Sequence, residues 1–359
     1  MTGTNKTGSN PSAAKNNPVG ILGFEFVEFA SPKPDDLHRL FKDLGFSKTM
    51  THSTMAVDYY NQGDIHFLVN KQPKSFANEF MNLHGPCACA TGWRVVDAQK
   101  AFEVAISRGA KPAPHTDYTR AGKKIPAILG VGDSVIYFID DHKNKSRYEE
   151  MGFAPAVHPD MTQGKGFALM DHLTNNVYQG ELKPLADFYK NVFGFEEVRY
   201  FDIRGQKTGL LSYALRSPCG SFCIPINEGT ESKSQINEYL REYKGPGIQH
   251  IALLTPNILK TMDSMKGSKI DTLDIDGDYY ADVFKRIPNV SEDHQKIKDY
   301  NLLVDGDDQG YLIQIFSQNV IGPIFFEFIQ RKNNLGFGEG NFGALFRAIE
   351  RDQERRGVL

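Results

Sequence analysis

Two stretches, Gly23–Phe46 (GFEFVEFASPKPDDLHRLFKDLGF) and Gly166–Phe195 (GFALMDHLTNNVYQGELKPLADFYKNVFGF), follow one plan. Each opens as a short apolar strand, breaks at a polar turn, continues as an amphipathic helix and ends in Gly-Phe before further strands. In the first, Leu37, Leu40, Phe41 and Leu44 fall on one helical face, the spacing that buries one side of a helix. The two starts lie 166 − 23 = 143 residues apart, so internal duplication is the first thing to test. Each half then repeats a strand and a helix, at Trp93–Ala110 and at Ile248–Ser268, and closes on an apolar strand signal, Val135–Asp140 and Ile324–Gln330. Shorter β-like runs (IHFLVN, SFCIPIN, YLIQIF) fill the gaps. Strands outnumber helices, and strands separated by single helices that curl around a shared cavity predict an α+β protein. Its architecture is two tandem open β-barrel halves, each built from paired βαβ-type modules.

Outside these modules, residues 1–18 are rich in Asn, Ser, Thr, Gly and Lys, and are predicted to be a disordered arm. The polar segment 142–164 carries two prolines and reads as the connector, with a boundary near residue 155. This divides the chain into 19–155 and 156–359. At 359 residues and 40% apolar content the chain is long enough for two cores. Its 41 basic and 44 acidic residues leave a charge of −3, which provides no field to hold a phosphate backbone and argues against a nucleic-acid partner. No run approaches the roughly 18 apolar residues of a membrane helix. The first 17 residues lack the apolar segment of a signal peptide, so a cytoplasmic location is expected. Cys87, Cys89, Cys219 and Cys223 are too few and too clustered for a disulfide scaffold and are expected to be reduced thiols.

The second half places His172 (LMDHLT) and His250 (IQHIALL) in strand-like contexts and Glu327 inside the apolar run IFFEFIQ, at spacings of 78 and 77 residues. A carboxylate flanked by Phe325, Phe326, Phe328 and Ile329 is costly to bury unless a positive charge meets it. A lone histidine on a strand is more often a hydrogen-bonded core residue than a ligand. Here the repeat decides: strand alignment puts Phe29 opposite His172, Tyr137 opposite Glu327 and a small residue near Thr91 opposite His250. The first half therefore lacks all three groups. Two imidazoles and one carboxylate form the facial triad of non-haem Fe(II) oxygen chemistry, with three coordination positions open. Other clusters carry less: His84, Cys87 and Cys89 lack a second ligand pair for zinc, and Cys219 and Cys223 read as packing residues. GFGEGNFG at 336–343 lacks the Lys-Ser/Thr of a phosphate loop and reads as a hinge.

Six strings (MDHLTNNV, PINEG followed by KSQI, GPGIQHIALLT, DDQGYLIQIF, IFFEFIQR and GFGEGNFGALFRAIE) run in order through Gly166–Leu359. Together they resemble the bacterial-type 4-hydroxyphenylpyruvate dioxygenases of the vicinal-oxygen-chelate superfamily; the first half is similar in module layout alone, as that family's non-catalytic domain. The resemblance implies one Fe(II) per chain on His172, His250 and Glu327, chelated by the carboxylate and keto oxygens of the substrate while O2 takes the remaining position. It also implies homogentisate and CO2 as products, a place in tyrosine and phenylalanine catabolism, and a dimer or tetramer. It further implies a polar lining of Ser212, Asn227, Gln235, Gln249 and Gln314, and a substrate-binding wall of Phe325, Phe337, Phe342 and Asn341, with Phe316 behind. At 341–357, Asn341 reads as an N-cap and Phe342, Leu345, Phe346 and Ile349 form an apolar stripe, so a lid helix over the iron pocket is expected, hinged at Gly336, Gly338 and Gly340. Competing readings are a hydroxymandelate synthase-like benzylic hydroxylase, an extradiol catechol dioxygenase, and a non-enzymatic module that binds an aromatic ligand.

Overall fold

A computed structural model of the chain describes residues 16–144, 146–205 and 207–359. Two eight-stranded sheets carry the fold. The first is ordered Phe153–Asp160, Ser47–His52, Val57–Gln62, Ile65–Asn70, Ile21–Ala30, Cys87–Val95, Val135–Ile139, Ala127–Leu129. The second is ordered Glu196–Arg204, Gly209–Arg216, Cys223–Gly229, Leu169–Val177, Gly247–Leu254, Phe325–Lys332, Tyr311–Phe316, Leu303–Gly306. Four adjacent strands of each sheet share one pattern of directions, with a parallel pair on either side of one antiparallel pairing. The duplication read from the sequence is therefore a duplication of topology.

Local chemistry explains the shared motif. Pro34 opens the first helix, Pro34–Asp43, where its missing N–H costs nothing, and Asp35 and Asp36 face the positive end of the helix dipole. Leu37 and Phe41 bury its inner face. The Gly-Phe endings are helix stops: Gly45 and Gly194 adopt φ of +87° and +79°, a left-handed backbone that glycine takes without strain.

The segment 142–164 is more ordered than a connector. It holds a short helix, Arg147–Glu150, and the strand Phe153–Asp160, which joins the edge of the first sheet by pairing with Ser47–His52. An edge position tolerates Pro155 and Pro159, because the missing N–H groups need not serve an inner ladder. Residues 1–15 of the predicted arm lie outside the described residues. Its last residues are tied down: the Asn17 carboxamide donates to Ile21 O and accepts from Ile21 N, both at 2.8 Å. The halves also differ in their second modules. The first has only the two-residue ribbon Thr119–Arg120 with Lys123–Lys124, whereas the second inserts helices Tyr279–Arg286 and His294–Asp299.

One apolar core runs across both halves. Phe24 and Phe222 rings lie 3.9 Å apart, and Trp93 of the first half packs among Phe193, Phe195 and Phe222 of the second. His84 donates from Nδ1 to the Tyr243 carbonyl at 2.8 Å, a bridge between halves, while the thiols of Cys87 and Cys89 face the carbonyls of Ala30 and Glu28. No helix among the described residues is long and apolar enough to cross a membrane.

Candidate metal centre

Three adjacent strands bring the predicted ligands together. His172 on Leu169–Val177 pairs with Ala252 on Gly247–Leu254, and Ala252 pairs with Glu327 on Phe325–Lys332, so His172 and Glu327 flank a small residue in one row. His250 sits two residues along the middle strand, on the same face. The ligand atoms of His172, His250 and Glu327 all lie within 4.8 Å of one another, and among the described residues this is the group of His, Cys, Asp and Glu tight enough to hold an ion. Glu327 Oε2 is 3.0 Å from His172 Nε2 and 3.4 Å from His250 Nε2.

Two β-bulges set the surroundings. Between Met170 and His172 the first strand advances two residues while its partner advances one, so Asp171 is the extra residue; between His250 and Ile248 the extra residue is Gln249. Each bulged residue precedes a ligand and bonds its ring. Asp171 Oδ2 accepts from His172 Nδ1 at 2.7 Å, and Gln249 Oε1 accepts from His250 Nδ1 at 3.1 Å. Both Nε2 atoms are thereby left for the centre, with Thr174 Oγ1 2.9 Å from that of His250.

The electrostatics suit a cation site. Burial alone would drive the Glu327 carboxyl up, yet the neighbouring imidazoles hold it down at about 2. Burial also pulls His172 down, but Glu327 and Asp171 outweigh it and hold the imidazolium up to about 9. His250 stays low because burial dominates. A divalent ion would meet the buried Glu327 charge and a nitrogen, nitrogen, oxygen donor set suited to Fe(II).

The same rows in the first half hold Phe26, Gly92 and Tyr137, with Ala90 at the place of His250. Tyr137 and a small residue thus stand where the repeat put them, but Phe29 does not match His172. It follows the second bulge, occupies the position of Asn175, and packs against Phe41 and Phe67. Both strands carry the same two bulges, so the offset of three residues comes from the Gly-Phe starts: Gly23 is a strand residue paired with Arg94, whereas Gly166 stands three residues before the strand Leu169–Val177 begins.

A cavity opens beside the triad. Seven of the eight strands of the second sheet line it, so the sheet curls around it. Ser212, Asn227, Gln235 and Gln249 supply polar groups, and Phe316, Phe325, Phe337 and Phe342 supply rings. Phe325 stacks on His250 at 4.8 Å and Phe337 meets His172 edge-on at 5.9 Å. Gln314 and Asn341 stand outside this wall. Gln314 is buried beneath Gly338, and Asn341 Oδ1 accepts from Tyr279 Oη at 2.6 Å. Asn341 therefore does not cap the following helix with its side chain. Phe201, Ile203, Leu210 and Thr174 also line the cavity and were not read from the sequence. Alternation from His172 would have found Thr174, two residues on and therefore on the same face.

The helix Phe342–Arg355 closes the cavity, and its predicted stripe of Phe342, Leu345, Phe346 and Ile349 forms that wall. Its outer side is fastened. Glu350 accepts from the backbone N–H groups of Lys207 and Thr208, Arg351 pairs with Asp276, and Arg356 just beyond its end pairs with Glu238.

Residues 15–154 match the family described as "Hydroxyphenylpyruvate dioxygenase, HPPD, N-terminal", and residues 169–314 match the "Glyoxalase/Bleomycin resistance protein/Dioxygenase superfamily". The chain is 54% identical to "Protein MelA" of Shewanella colwelliana over 97% of this chain and 100% of that one. It is 43% identical to a 4-hydroxyphenylpyruvate dioxygenase of Legionella pneumophila over 96% of this chain and 98% of that one. In fold it matches a variant of 4-hydroxymandelate synthase from Streptomyces coelicolor, with a TM-score of 0.80 and 22% identity over 93% of this chain and 99% of that one. By its two glyoxalase-type barrels, its His-His-Glu group and these full-length similarities, the chain belongs to the 4-hydroxyphenylpyruvate dioxygenase family of the vicinal-oxygen-chelate fold.

Proposed function

We propose that the chain is an Fe(II)-dependent dioxygenase that converts 4-hydroxyphenylpyruvate and O2 to homogentisate and CO2. One oxygen atom enters the new carboxylate and the other the ring, while the side chain migrates. The observation that carries this reading is the facial triad opening into a closed cavity walled by phenylalanines and carboxamides. When bound, Fe(II) on His172, His250 and Glu327 supplies one net positive charge toward an oxo-acid anion and the activation of O2. The rest is the work of the chain's own residues. Phe325 and Phe342 face an aromatic substrate ring, and Ser212, Asn227, Gln235 and Gln249 offer hydroxyl and amide groups that orient a phenol or an oxo acid without adding charge. The stripe of the lid helix excludes water from the reacting atoms. Gln314 and Asn341, each with a buried side-chain nitrogen lacking a protein partner, stand behind the wall and back it. The same reading places the chain in the cytoplasm as a homo-oligomer serving tyrosine and phenylalanine catabolism.

The test is anaerobic reconstitution with Fe(II), then exposure to O2 and 4-hydroxyphenylpyruvate with CO2 and the aromatic product both measured. Homogentisate with stoichiometric CO2, abolished in Glu327→Ala, is expected. Hydroxymandelate would move the chain to the benzylic branch of the fold, and tight substrate binding without turnover in the iron-loaded protein would make it a binding module.

A further inference from the structure

We propose that Asp171 and Arg331 form a positioning pair that orients the ligand His172 and ties it to the segment leading into the lid helix. The inference rests on the metal-site reading above and adds two residues to it. The bulge at Asp171 turns its carboxylate alongside the His172 ring, where Oδ2 accepts from Nδ1 at 2.7 Å. Arg331 grips the same carboxylate with two bonds, Nε to Oδ1 at 2.7 Å and Nη2 to Oδ2 at 2.8 Å. A forked arginine fixes a carboxylate in plane as well as in position. Arg331 lies four residues beyond Glu327 on the same strand, so one strand carries a ligand and the clamp of a second ligand.

The remaining guanidinium nitrogen reaches outward. Nη1 donates to the carbonyl of Gly336 at 2.6 Å and to that of Asn334 at 3.3 Å, both on the segment that presents Phe337 to the cavity and leads to the lid. A shift of that segment is therefore felt by Arg331, Asp171 and then the His172 ring. His250 has no such tie, since its Nδ1 partner is the neutral Gln249.

The first half supplies a control. Its equivalent bulge places Glu25 at the position of Asp171, clamped to Arg94 and Arg147 at 2.6 Å each. That clamp has a phenylalanine, Phe26, where His172 would be. A carboxylate–arginine clamp thus belongs to both sheets, and orienting a ligand is the added role in the second.

The experiment titrates the full apo chain with Co(II), reading affinity and ligand-field bands, and follows hydrogen exchange of 334–341 in the Co(II)-loaded protein. Asp171→Asn should weaken Co(II) about 10- to 100-fold and shift the bands. The paired change Asp171→Asn with Arg331→Gln keeps a neutral hydrogen-bonded pair, avoids a buried lone charge, and should do the same. Arg331→Lys, which keeps charge but loses the fork, should recover part of the affinity and speed exchange at 334–341. Glu25→Gln should lower stability and leave the Co(II) spectrum unchanged. Wild-type affinity and bands in both Asp171 variants would overturn the positioning role, and unchanged exchange in Arg331→Lys would overturn the tie to the lid. Co(II) binding equal in wild type and His172→Ala would instead remove the metal site itself, and this inference with it.

Discussion

The two barrels share the order of seven strands, the directions of the strands around their shared antiparallel pair, helix stops and both bulges, and they differ in one edge strand each and in what fills them. In the first, Phe26 and Tyr137 project into the interior, and Gly92 between them is the residue that lets Phe26 lie flat, since a Cβ there would meet its ring at 2.5 Å. Tyr118 and Phe153 complete a solid plug. In the second, the same rows carry His172, Ala252 and Glu327, and the interior stays open beside them. A barrel of this topology is thus indifferent to being hollow; a few side-chain volumes decide. Polar burial differs too. At the position of Thr174 the first barrel buries Glu28, which accepts from Tyr118 Oη and Asn70 Nδ2 while its Oε2 has no partner, and burial together with Asp117 pushes its carboxyl up to about 8.

The sharpest way to break the comparison is to give the second barrel a residue of the first. Glu327→Tyr, copying Tyr137, is expected to abolish metal binding and CO2 release, a loss beyond the roughly 100-fold that outer partners of a metal are worth. The circular dichroism spectrum should stay that of the wild type, because the fold already accepts tyrosine at that place. Retained iron in this variant would show that the triad is not the centre.

Emptying the first barrel is the converse experiment. Phe26→Ala should cost about 3–5 kcal/mol in denaturant unfolding, the range for removing a buried phenylalanine, with kcat of the folded fraction unchanged. A selective loss of kcat would mean that the first barrel takes part in the chemistry.

Glu28 gives a pH-dependent effect on the order of a few kcal/mol. Its folded-state pKa lies above the unfolded value of 4.5, so its contribution is fully present below that value and is lost as pH rises through about 8. Asp117, Tyr118, Tyr137 and Cys89 face it and Asn70 bonds it. Glu28→Gln should therefore match the wild type in melting temperature near pH 5 and exceed it above pH 8. A constant difference across that range would place the effect elsewhere.

The smallest expected effect is at the lid. Arg356 and Glu238 hold the end of the lid helix from a partly exposed position, so Arg356→Ala should change substrate dissociation by only about fivefold, the equivalent of roughly 1 kcal/mol. Stopped-flow binding would read it, and a much larger change would make this contact the main latch.

Much of the centre was legible because its signals are local. His172 and His250 stand in the apolar opening strands of successive modules, Glu327 stands in the apolar closing strand of the second, and none has a counterpart in the first half. The lid stripe was legible for the same reason, as four apolar residues at helical spacing. What the strings could not convey was the phase of each strand past a bulge. Nor do the matching Gly-Phe starts show that Gly23 lies inside its strand and Gly166 ahead of its own, which is why Phe26 and not Phe29 faces the position of His172. The Asp171–Arg331 clamp went unread because its partners are 160 residues apart and meet only after the bulge turns Asp171. Asn341 has the composition of an N-cap, yet its carboxamide bonds Tyr279 from an inserted helix that no local pattern links to it.

By itself the sequence determined the duplication, the two-barrel class and the choice of His172, His250 and Glu327 as a candidate group, because periodicity and residue chemistry are properties of neighbours along the chain. Tertiary structure alone decided how the first barrel is filled, which atoms orient the histidine rings, and how the lid is fastened. Those outcomes depend on strand register and on side-chain volumes brought together from distant segments, and a one-residue bulge reverses the face on which every following side chain falls.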